Sequence, residues 1–248
     1  MIRKLRKIIM ENIPIIGLIN KLGGVDYALY ERKNIIEGAN NIDYFVTKDG
    51  IKYKVDGYSN FMVEADRLEY DLSGIRSDDI VLDIGTTIGD FTIAAALKAK
   101  HVYAVEPLFC KELEDNLKLN NITNVTILPF AIGNGNDIDL SFNKVERKNV
   151  PTYTLTNLIS MIRFQSNGQH KVSFMKCDCE GGEWYIKPSE LDGIRCIEME
   201  MHPREFPTEM SNRELVPYIK QNWDIIITPH DDMVFVIHAK DKFRNNHL

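Results

Sequence analysis

The chain has 248 residues, of which 44% are hydrophobic and 27% charged, and its 30 basic and 36 acidic side chains give a net charge of −6. A chain of this size and composition can bury its own core without disulfides or a structural metal. The negative balance argues against a protein whose main partner is nucleic acid, because binding phosphates requires a basic surface. The four cysteines (Cys110, Cys177, Cys179 and Cys196) have neither disulfide-scaffold nor zinc-site spacing, so we expect them to be reduced and the protein to be cytoplasmic.

The first 22 residues combine four basic side chains with an isoleucine-rich stretch. Arg3, Lys4, Arg6 and Lys7 precede residues 8–19, which are too short and too interrupted to form a membrane span or a signal peptide. We expect a helix that packs against the rest of the fold. The alternative is a basic helix that makes weak contact with an anionic membrane surface.

A hairpin pattern follows. Apolar and polar residues alternate at positions 44–47 and 51–55, and the Lys48-Asp49-Gly50 segment between them is typical of a β-turn. We therefore divide the chain into an N-terminal helix and β-hairpin extension, residues 1–70, and a second domain, residues 71–248.

From residue 80 onward, short apolar runs alternate with amphipathic segments. The runs predict strands at residues 80–84, 102–105, 125–128, 172–177, 196–201, 224–228 and 233–238. The amphipathic segments predict helices at residues 90–100, 109–120, 154–164 and 214–222, and a further helix is expected to begin at Glu183. The polar stretch from 133 to 152 is expected to hold a short edge strand and a loop. The alternation predicts an α/β fold with a doubly wound, mostly parallel sheet that ends in an antiparallel hairpin.

The densest motif is V-L-D-I-G-T-T-I-G-D at residues 81–90, where a buried strand runs into a glycine turn that opens a helix. Gly85 and Gly89 allow close approach of a ligand. Their G-x-x-x-G spacing lacks the third glycine that a nicotinamide-dependent oxidoreductase would need. Asp83 suits a ligand that carries an ammonium group, and Glu106, at the end of the next strand, can accept ribose hydroxyls. An ammonium at one end and a ribose at the other describe S-adenosylmethionine.

A second group of polar residues follows the fourth and fifth strands of the alternating region. Asp178 and Glu180 come just after one strand, and Glu198, Glu200 and His202 share one face of the next. An alcohol must lose its proton to become a good nucleophile, so Asp178, Glu180 and His202 are candidate bases. A metal held by the carboxylates and the imidazole is one alternative, and ion pairing of the glutamates with lysines or arginines without any chemistry is another. We favour a base that acts without a metal.

Several segments together resemble the FkbM-type class I methyltransferases. They are residues 81–90, Y-A-V-E-P at 103–107, A-I-G at 131–133, T-L at 154–155, K-C-D-C-E-G-G-E at 176–183 and E-M-E-M-H at 198–202. The resemblance covers about residues 60–240, and the D-x-E-G-x-E block is its specific part. It implies a seven-stranded sheet in the order 3-2-1-4-5-7-6, S-adenosylmethionine as the methyl donor, and O-methylation of a sugar, glycolipid or polyketide-like acceptor.

Two positions depart from the family pattern. The usual Ala-Asn after the first motif glycine is here Thr86-Thr87, which we expect to leave the loop working with a negative φ. The usual Thr-Leu-Asp is here Thr154-Leu155-Thr156, so one acid on the acceptor side is missing. That change supports the alternative of a protein that binds S-adenosylmethionine without catalysis, as a sensor or a scaffold.

The sequence therefore predicts an O-methyltransferase that acts on a small-molecule or glycan acceptor, without a metal and without nucleic acid as a partner. We assign the methionine end of the cofactor to Asp83, Gly85, Thr87 and Gly89, the ribose to Glu106, and the border of the adenine to Phe130 and Ala131. No N-P-P-[YFW] motif follows the fourth strand to hold a flipped base. Neither the acceptor nor the oligomeric state has a signature in the sequence.

Overall fold

The computed structural model describes residues 21–22, 25–26, 31–37, 40–47, 49–54, 69–141, 147–202, 214–229 and 234–242. The chain divides into two compact units, Met1–Leu68 and Glu69–Leu248. The predicted N-terminal helix falls on residues 1–20, which lie outside the described residues; its last two positions, Lys21–Leu22, form a strand instead.

The described part of the first unit consists mainly of short antiparallel strands. They are β1 (Lys21–Leu22), β2 (Val25–Asp26), β3 (Glu31–Glu37), β4 (Asn40–Val46) and β5 (Lys52–Lys54). The β4–β5 hairpin confirms the predicted Asp-Gly turn, with Gly50 at φ +85° and the Thr47 N–H donating to the Ile51 carbonyl at 2.8 Å. β3 also pairs with β4 and was not predicted, because its Glu-Arg-Lys-Asn-Ile-Ile-Glu sequence has no alternation.

The second unit alternates strands and helices as the sequence predicts. Its helices are α1 (Asp90–Ala96), α2 (Cys110–Leu119), α3 (Leu155–Gln165) and α4 (Leu215–Asn222). The strands of its large sheet are β6 (Ile80–Ile84), β7 (His101–Val105), β8 (Val125–Leu128), β13 (Val172–Cys177), β14 (Cys196–Met201), β15 (Trp223–Pro229) and β16 (Phe235–Asp241). Thr154 is the N-cap of α3, since its side chain accepts the Asn157 N–H. None of the described helices is long and apolar enough to span a membrane.

The seven strands are arranged in the order β8-β7-β6-β13-β14-β16-β15, which is 3-2-1-4-5-7-6 when they are numbered along the chain. The first five along the chain are parallel, and β16 is antiparallel to both β14 and β15. The doubly wound α/β fold is therefore confirmed. The strand order changes direction between the neighbouring strands β6 and β13. Open α/β sheets bind ligands at such a switch point.

The strands are continuous apolar runs because both faces of the sheet are covered. Leu82 and Met175 face a core that includes Leu158 of α3, whereas Val81 faces a second core on the opposite side. In that second core the ring of Phe91 stacks on Phe174, with centroids 6.1 Å apart. The two cores fix β6 and β13 side by side, so the loops that follow these strands open at one edge.

Two segments differ in detail from the predictions. The described residues of the 133–152 stretch form no edge strand of the large sheet. The chain here forms two small pairs outside it, β9 (Ala131–Ile132) with β12 (Thr152–Tyr153) and β10 (Ile138–Leu140) with β11 (Lys148–Val150).

The helix predicted from Glu183 is replaced by two short 3-10 turns, Gly182–Tyr185 and Pro188–Leu191. An α-helix cannot continue here because Pro188 disfavours helical backbone at the residue before it. The Glu183 side chain is fully buried and does not serve as an exposed cap.

Candidate active site

The loop between β6 and α1 depends on two glycines in the left-handed region. Gly85 has φ +77°, and a Cβ at that position would lie 1.6 Å from the Asp178 carbonyl oxygen. Gly89 has φ +97°, and a Cβ there would lie 2.5 Å from Cδ1 of Leu113. The sequence predicts that these glycines allow a ligand to approach the loop closely. The structure shows that they also let the loop pack directly against the end of β13 and against α2.

Thr87 lies in the same loop at φ +45°, so the expectation of a negative φ is wrong. A β-branched residue is strained in the left-handed region, whereas asparagine adopts that conformation more readily. The Thr87 N–H donates to Oε2 of Glu106 at 2.8 Å. This contact between the loop and the residue after β7 holds the strained backbone in place.

Glu106 accepts hydrogen bonds from three backbone N–H groups. Besides Thr87, the N–H groups of Leu108 and Phe109 donate to Oε1 at 2.7 and 3.0 Å. Burial raises the pKa of Glu106, and the three donors oppose that rise. A carboxylate offers about four lone-pair positions, so one remains for a hydroxyl of a ligand. Glu106 can thus shape the loop and accept a ligand hydroxyl at once.

Asp83 is fully buried at the end of β6. Its Oδ2 accepts the Thr92 hydroxyl at 2.5 Å, and its Oδ1, which has no hydrogen bond, lies 3.5 Å from Nζ of Lys176. Burial raises the pKa of Asp83, while Lys176 and Thr92 lower it. The ammonium group next to Asp83 is therefore that of Lys176. It stays a prediction that Asp83 also binds the ammonium group of a ligand.

Lys176 connects this carboxylate to the loop and to Asp178. Its Nζ donates to the Gly85 carbonyl at 2.8 Å and lies 3.7 Å from Oδ2 of Asp178. Burial alone would lower the pKa of Lys176, but the surrounding carboxylates, Asp83 first, raise it above its ordinary value. Asp90 is also buried, and burial raises its pKa to about 7. Carboxylates outnumber cations in this region, which favours a positively charged ligand.

Tyr70 joins two of the acids and is not indicated by the sequence, because its partners lie more than 100 residues away. Its hydroxyl lies 3.0 Å from Oδ2 of Asp178 and 3.0 Å from Oε2 of Glu200. Burial, reinforced by the two carboxylates, raises the pKa of Tyr70 well above its ordinary value. The phenol therefore keeps its proton and acts as a hydrogen-bond donor.

His202, just after β14, lies among four carboxylates. Its Nδ1 is 3.2 Å from Oε1 of Glu183, and its Nε2 is 3.5 Å from Glu180, 3.7 Å from Glu200 and 3.8 Å from Asp178. Burial alone would lower the pKa of His202, but the hydrogen bond to Glu183 and the neighbouring charges raise it to about 9. The imidazole is therefore protonated near neutral pH.

The structure thus brings together Asp178, Glu180, Glu200 and His202. Glu198 is not part of this cluster, because its Oε2 pairs with Nδ1 of His238 at 2.6 Å and accepts the Asp71 N–H at 3.0 Å. Among the described residues, Glu198 therefore pairs with a histidine, whereas the sequence suggested pairing with lysine or arginine. Asp178, Glu180 and His202 offer atoms within 4.8 Å of one another, close enough to share a cation. That the base acts without a metal stays a prediction.

Phe130 and Ala131 follow β8, next to Glu106 in the fold, since the Glu106 N–H donates to the Leu128 carbonyl at 3.0 Å. The Phe130 ring is buried, and its centroid lies 4.4 Å from that of Tyr153. The two positions assigned to the adenine border therefore lie at the same edge of the sheet as the glycine loop. Tyr153 adds a partly exposed ring that the sequence had not indicated.

A seven-stranded sheet in this order, with a glycine loop after its first strand and an acid after its second, defines the class I fold of S-adenosylmethionine-dependent methyltransferases. The sequence model of the methyltransferase FkbM domain matches residues 83–222, more than half of the chain. The chain belongs to this family, as the sequence motifs predicted.

Among curated proteins, the chain is similar to the tRNA (guanine(37)-N(1))-methyltransferase Trm5b of Pyrococcus abyssi, with 28% identity over 48% of this chain and 36% of that protein. It is also similar to an uncharacterized protein, MJ1452, of Methanocaldococcus jannaschii, with 39% identity over 22% of each chain. Both matches cover well under two thirds of these relatives. An rRNA methylase from Streptococcus thermophilus has a similar structure, with a TM-score of 0.45 and 12% identity over 73% of this chain and 95% of that one. A match at this level of similarity gives no information on the substrate of this chain.

Proposed function

We propose that this protein transfers the methyl group of S-adenosylmethionine to a hydroxyl of a sugar, a glycolipid or another small acceptor. The observation that carries the proposal is the packing of the glycine loop against Asp178. The Asp178 N–H donates to the Ile84 carbonyl at 3.0 Å, and only a glycine at position 85 fits against the Asp178 carbonyl. A carboxylate that can accept a proton thus lies beside the loop that would hold the methyl donor, at the switch point of the sheet.

The residues around the loop fit this cofactor. S-adenosylmethionine supplies a methyl group on a positively charged sulfur, and the excess of carboxylates near Asp83 favours such a charge. The backbone of Gly85, Thr87 and Gly89 would face the methionine end, and the remaining lone pair of Glu106 would accept a ribose hydroxyl. Phe130 and Ala131 would border the adenine.

Asp178 is the base that this arrangement favours among the three candidates. His202 already carries its proton near neutral pH, because its pKa is raised to about 9. The Glu180 side chain is 61% exposed, whereas that of Asp178 is 25% exposed and is held by Tyr70 and Lys176. In an in-line transfer the acceptor oxygen bonds to the methyl carbon as the carbon–sulfur bond breaks, and Asp178 takes the hydroxyl proton.

The alternative of a non-catalytic sensor or scaffold rested on Thr156, which stands where the family usually has an acid. In the structure the backbone N–H and the hydroxyl of Thr156 both donate to Oε1 of Glu190. Thr156 thus takes part in a contact at the start of α3, and its presence does not by itself favour a sensor. We also propose that the protein is cytoplasmic and that its acceptors do not include nucleic acid.

Calorimetry with S-adenosylmethionine, S-adenosylhomocysteine and NAD tests the cofactor. We expect both sulfur ligands to bind and NAD not to bind, and failure of both sulfur ligands would refute the proposal. Labelled donor with sugars, lipid-linked glycans and transcribed tRNA then tests the acceptor. We expect label in a hydroxyl-bearing sugar or glycan; label in the tRNA alone would refute the acceptor class, and binding without transfer to any acceptor would favour the sensor.

A further inference from the structure

We propose that Tyr70 is a positioning residue for the methyl transfer: its hydroxyl holds Oδ2 of Asp178, so that Oδ1 is directed to the acceptor. This inference rests on the proposed function and adds a residue from outside the matched family region, which begins at residue 83. Tyr70 lies in the second unit of the chain and is almost fully buried.

The geometry separates the two oxygens of Asp178. Oδ2 lies 3.0 Å from the Tyr70 hydroxyl and 3.7 Å from Nζ of Lys176, whereas Oδ1 lies 3.8 Å from Nε2 of His202. The inner oxygen is therefore engaged by a donor and a cation from one side. The outer oxygen has the longer contact and is the one available to an acceptor hydroxyl.

The same hydroxyl also lies 3.0 Å from Oε2 of Glu200. A phenol has one proton to donate, so Asp178 and Glu200 compete for it. Donation to Asp178 stabilises its ionised form, which is the form that acts as a base. Glu200 opposes this effect twice, by competing for the donor and by adding a like charge.

The Tyr70 ring is fixed independently of its hydroxyl. It makes an edge-to-face contact with Phe91, with centroids 5.9 Å apart, and Nζ of Lys176 lies 5.2 Å from its centroid. Tyr70→Phe therefore removes the hydroxyl and keeps these contacts. Among the described residues, the titratable or charged groups around Asp178 include Tyr70, Lys176, Cys179, Glu180, Glu200 and His202, with Asp83 and Asp90 beyond Lys176.

The test follows the carboxyl signal of Asp178 by NMR of protein labelled with ¹³C at the aspartate carboxyls, assigned with Asp178→Asn. In Tyr70→Phe we expect the Asp178 carboxyl signal to shift, because the carboxylate loses a hydrogen-bond donor. In Glu200→Gln we expect the opposite shift. Tyr103→Phe is the matched control, since it also removes a hydroxyl from a buried tyrosine. The Tyr103 hydroxyl forms its hydrogen bond with Nδ1 of His170, at 2.9 Å, and not with Asp178. This control should leave the Asp178 carboxyl signal unchanged.

Kinetics with an acceptor found in the labelled-donor screen complete the test. We expect Tyr70→Phe to lower kcat by about tenfold or more, to move the rising limb of the pH profile to higher pH, and to leave KM for the donor within about twofold. An Asp178 carboxyl signal that does not move in Tyr70→Phe, or an unchanged kcat in that variant, would overturn the role of Tyr70. Wild-type protein that binds S-adenosylhomocysteine but methylates nothing would instead overturn the proposed function.

Discussion

The two sides of the site differ in what forms them: backbone on one side and side chains on the other. The loop side, residues 83–89 with Glu106, is shaped by backbone: two glycines in the left-handed region and three N–H groups that donate to a single carboxylate. The acid side, around Asp178, is shaped by side chains that come from separate parts of the chain, among them Tyr70, Glu200 and His202.

This difference indicates which side of the site can determine the specificity for the acceptor. A loop held by its own backbone keeps the same shape whatever the acceptor, so it suits a common cofactor. A network of charged side chains sets protonation and orientation, so it suits the chemistry of one acceptor. Four substitutions can break or sharpen this comparison, and they are taken from the largest expected effect to the smallest.

Asp178→Asn should abolish most of the methyl transfer without disturbing the loop side. The amide can still accept from Tyr70 but cannot take a proton, so we expect kcat to fall by about 10²–10⁴-fold. Binding of S-adenosylhomocysteine, measured by calorimetry, should change by less than about threefold. Asp139→Asn is the control, because Asp139 is exposed and pairs with Arg147. Equal kcat in wild type and Asp178→Asn would remove Asp178 from the mechanism.

His202→Gln should make stability less dependent on pH. The pKa of His202 rises from 6.5 to about 9 on folding, which corresponds to about 3 kcal/mol. Because the folded-state pKa is raised, this stabilisation is complete below pH 6.5 and is lost as the pH rises through 9. Urea unfolding at pH 6 and pH 10 should therefore show a loss of free energy of unfolding in the variant that is larger at pH 6.

His170→Gln provides the control for that experiment. Burial, with Lys100 nearby, lowers the pKa of His170, so its pH dependence should have the opposite sign. If His202→Gln loses the same free energy at both pH values, His202 is not the imidazolium that the geometry indicates.

The fold was predictable because it depends on local periodicity, and the acid side was predictable only in part. The bounds of β6, β8, β13 and β14 match the apolar runs, since strands buried on both faces have no other pattern. The role of Tyr70 and the pairing of Glu198 with His238 were not predictable, because each joins residues at least 40 positions apart. The protonation of His202 likewise depends on Glu183, which turns inward after two glycines.

Glu106→Gln tests whether one carboxylate serves both the loop and the ligand. The amide nitrogen cannot accept, so at least one of the N–H groups of Thr87, Leu108 and Phe109 loses its partner. We expect the affinity for S-adenosylhomocysteine to fall by about 10–100-fold in calorimetry. Glu114→Gln, at an exposed position of α2 paired with Lys118, is the control and should bind normally. Unchanged affinity in Glu106→Gln would separate this carboxylate from the cofactor.

Thr87→Asn should have the smallest effect and should be stabilising. Thr87 holds φ +45°, a conformation that costs a residue other than glycine roughly 1–3 kcal/mol and that asparagine adopts more readily. We expect the free energy of unfolding to rise by about 1 kcal/mol in urea titration. Thr87→Ala keeps a Cβ and the N–H to Glu106 and should give a smaller gain. If asparagine proves no better than alanine, strain at this residue does not limit stability. If it stabilises the fold and preserves affinity for S-adenosylhomocysteine, the Thr87 hydroxyl is not needed for the cofactor and the loop acts through the shape of its backbone.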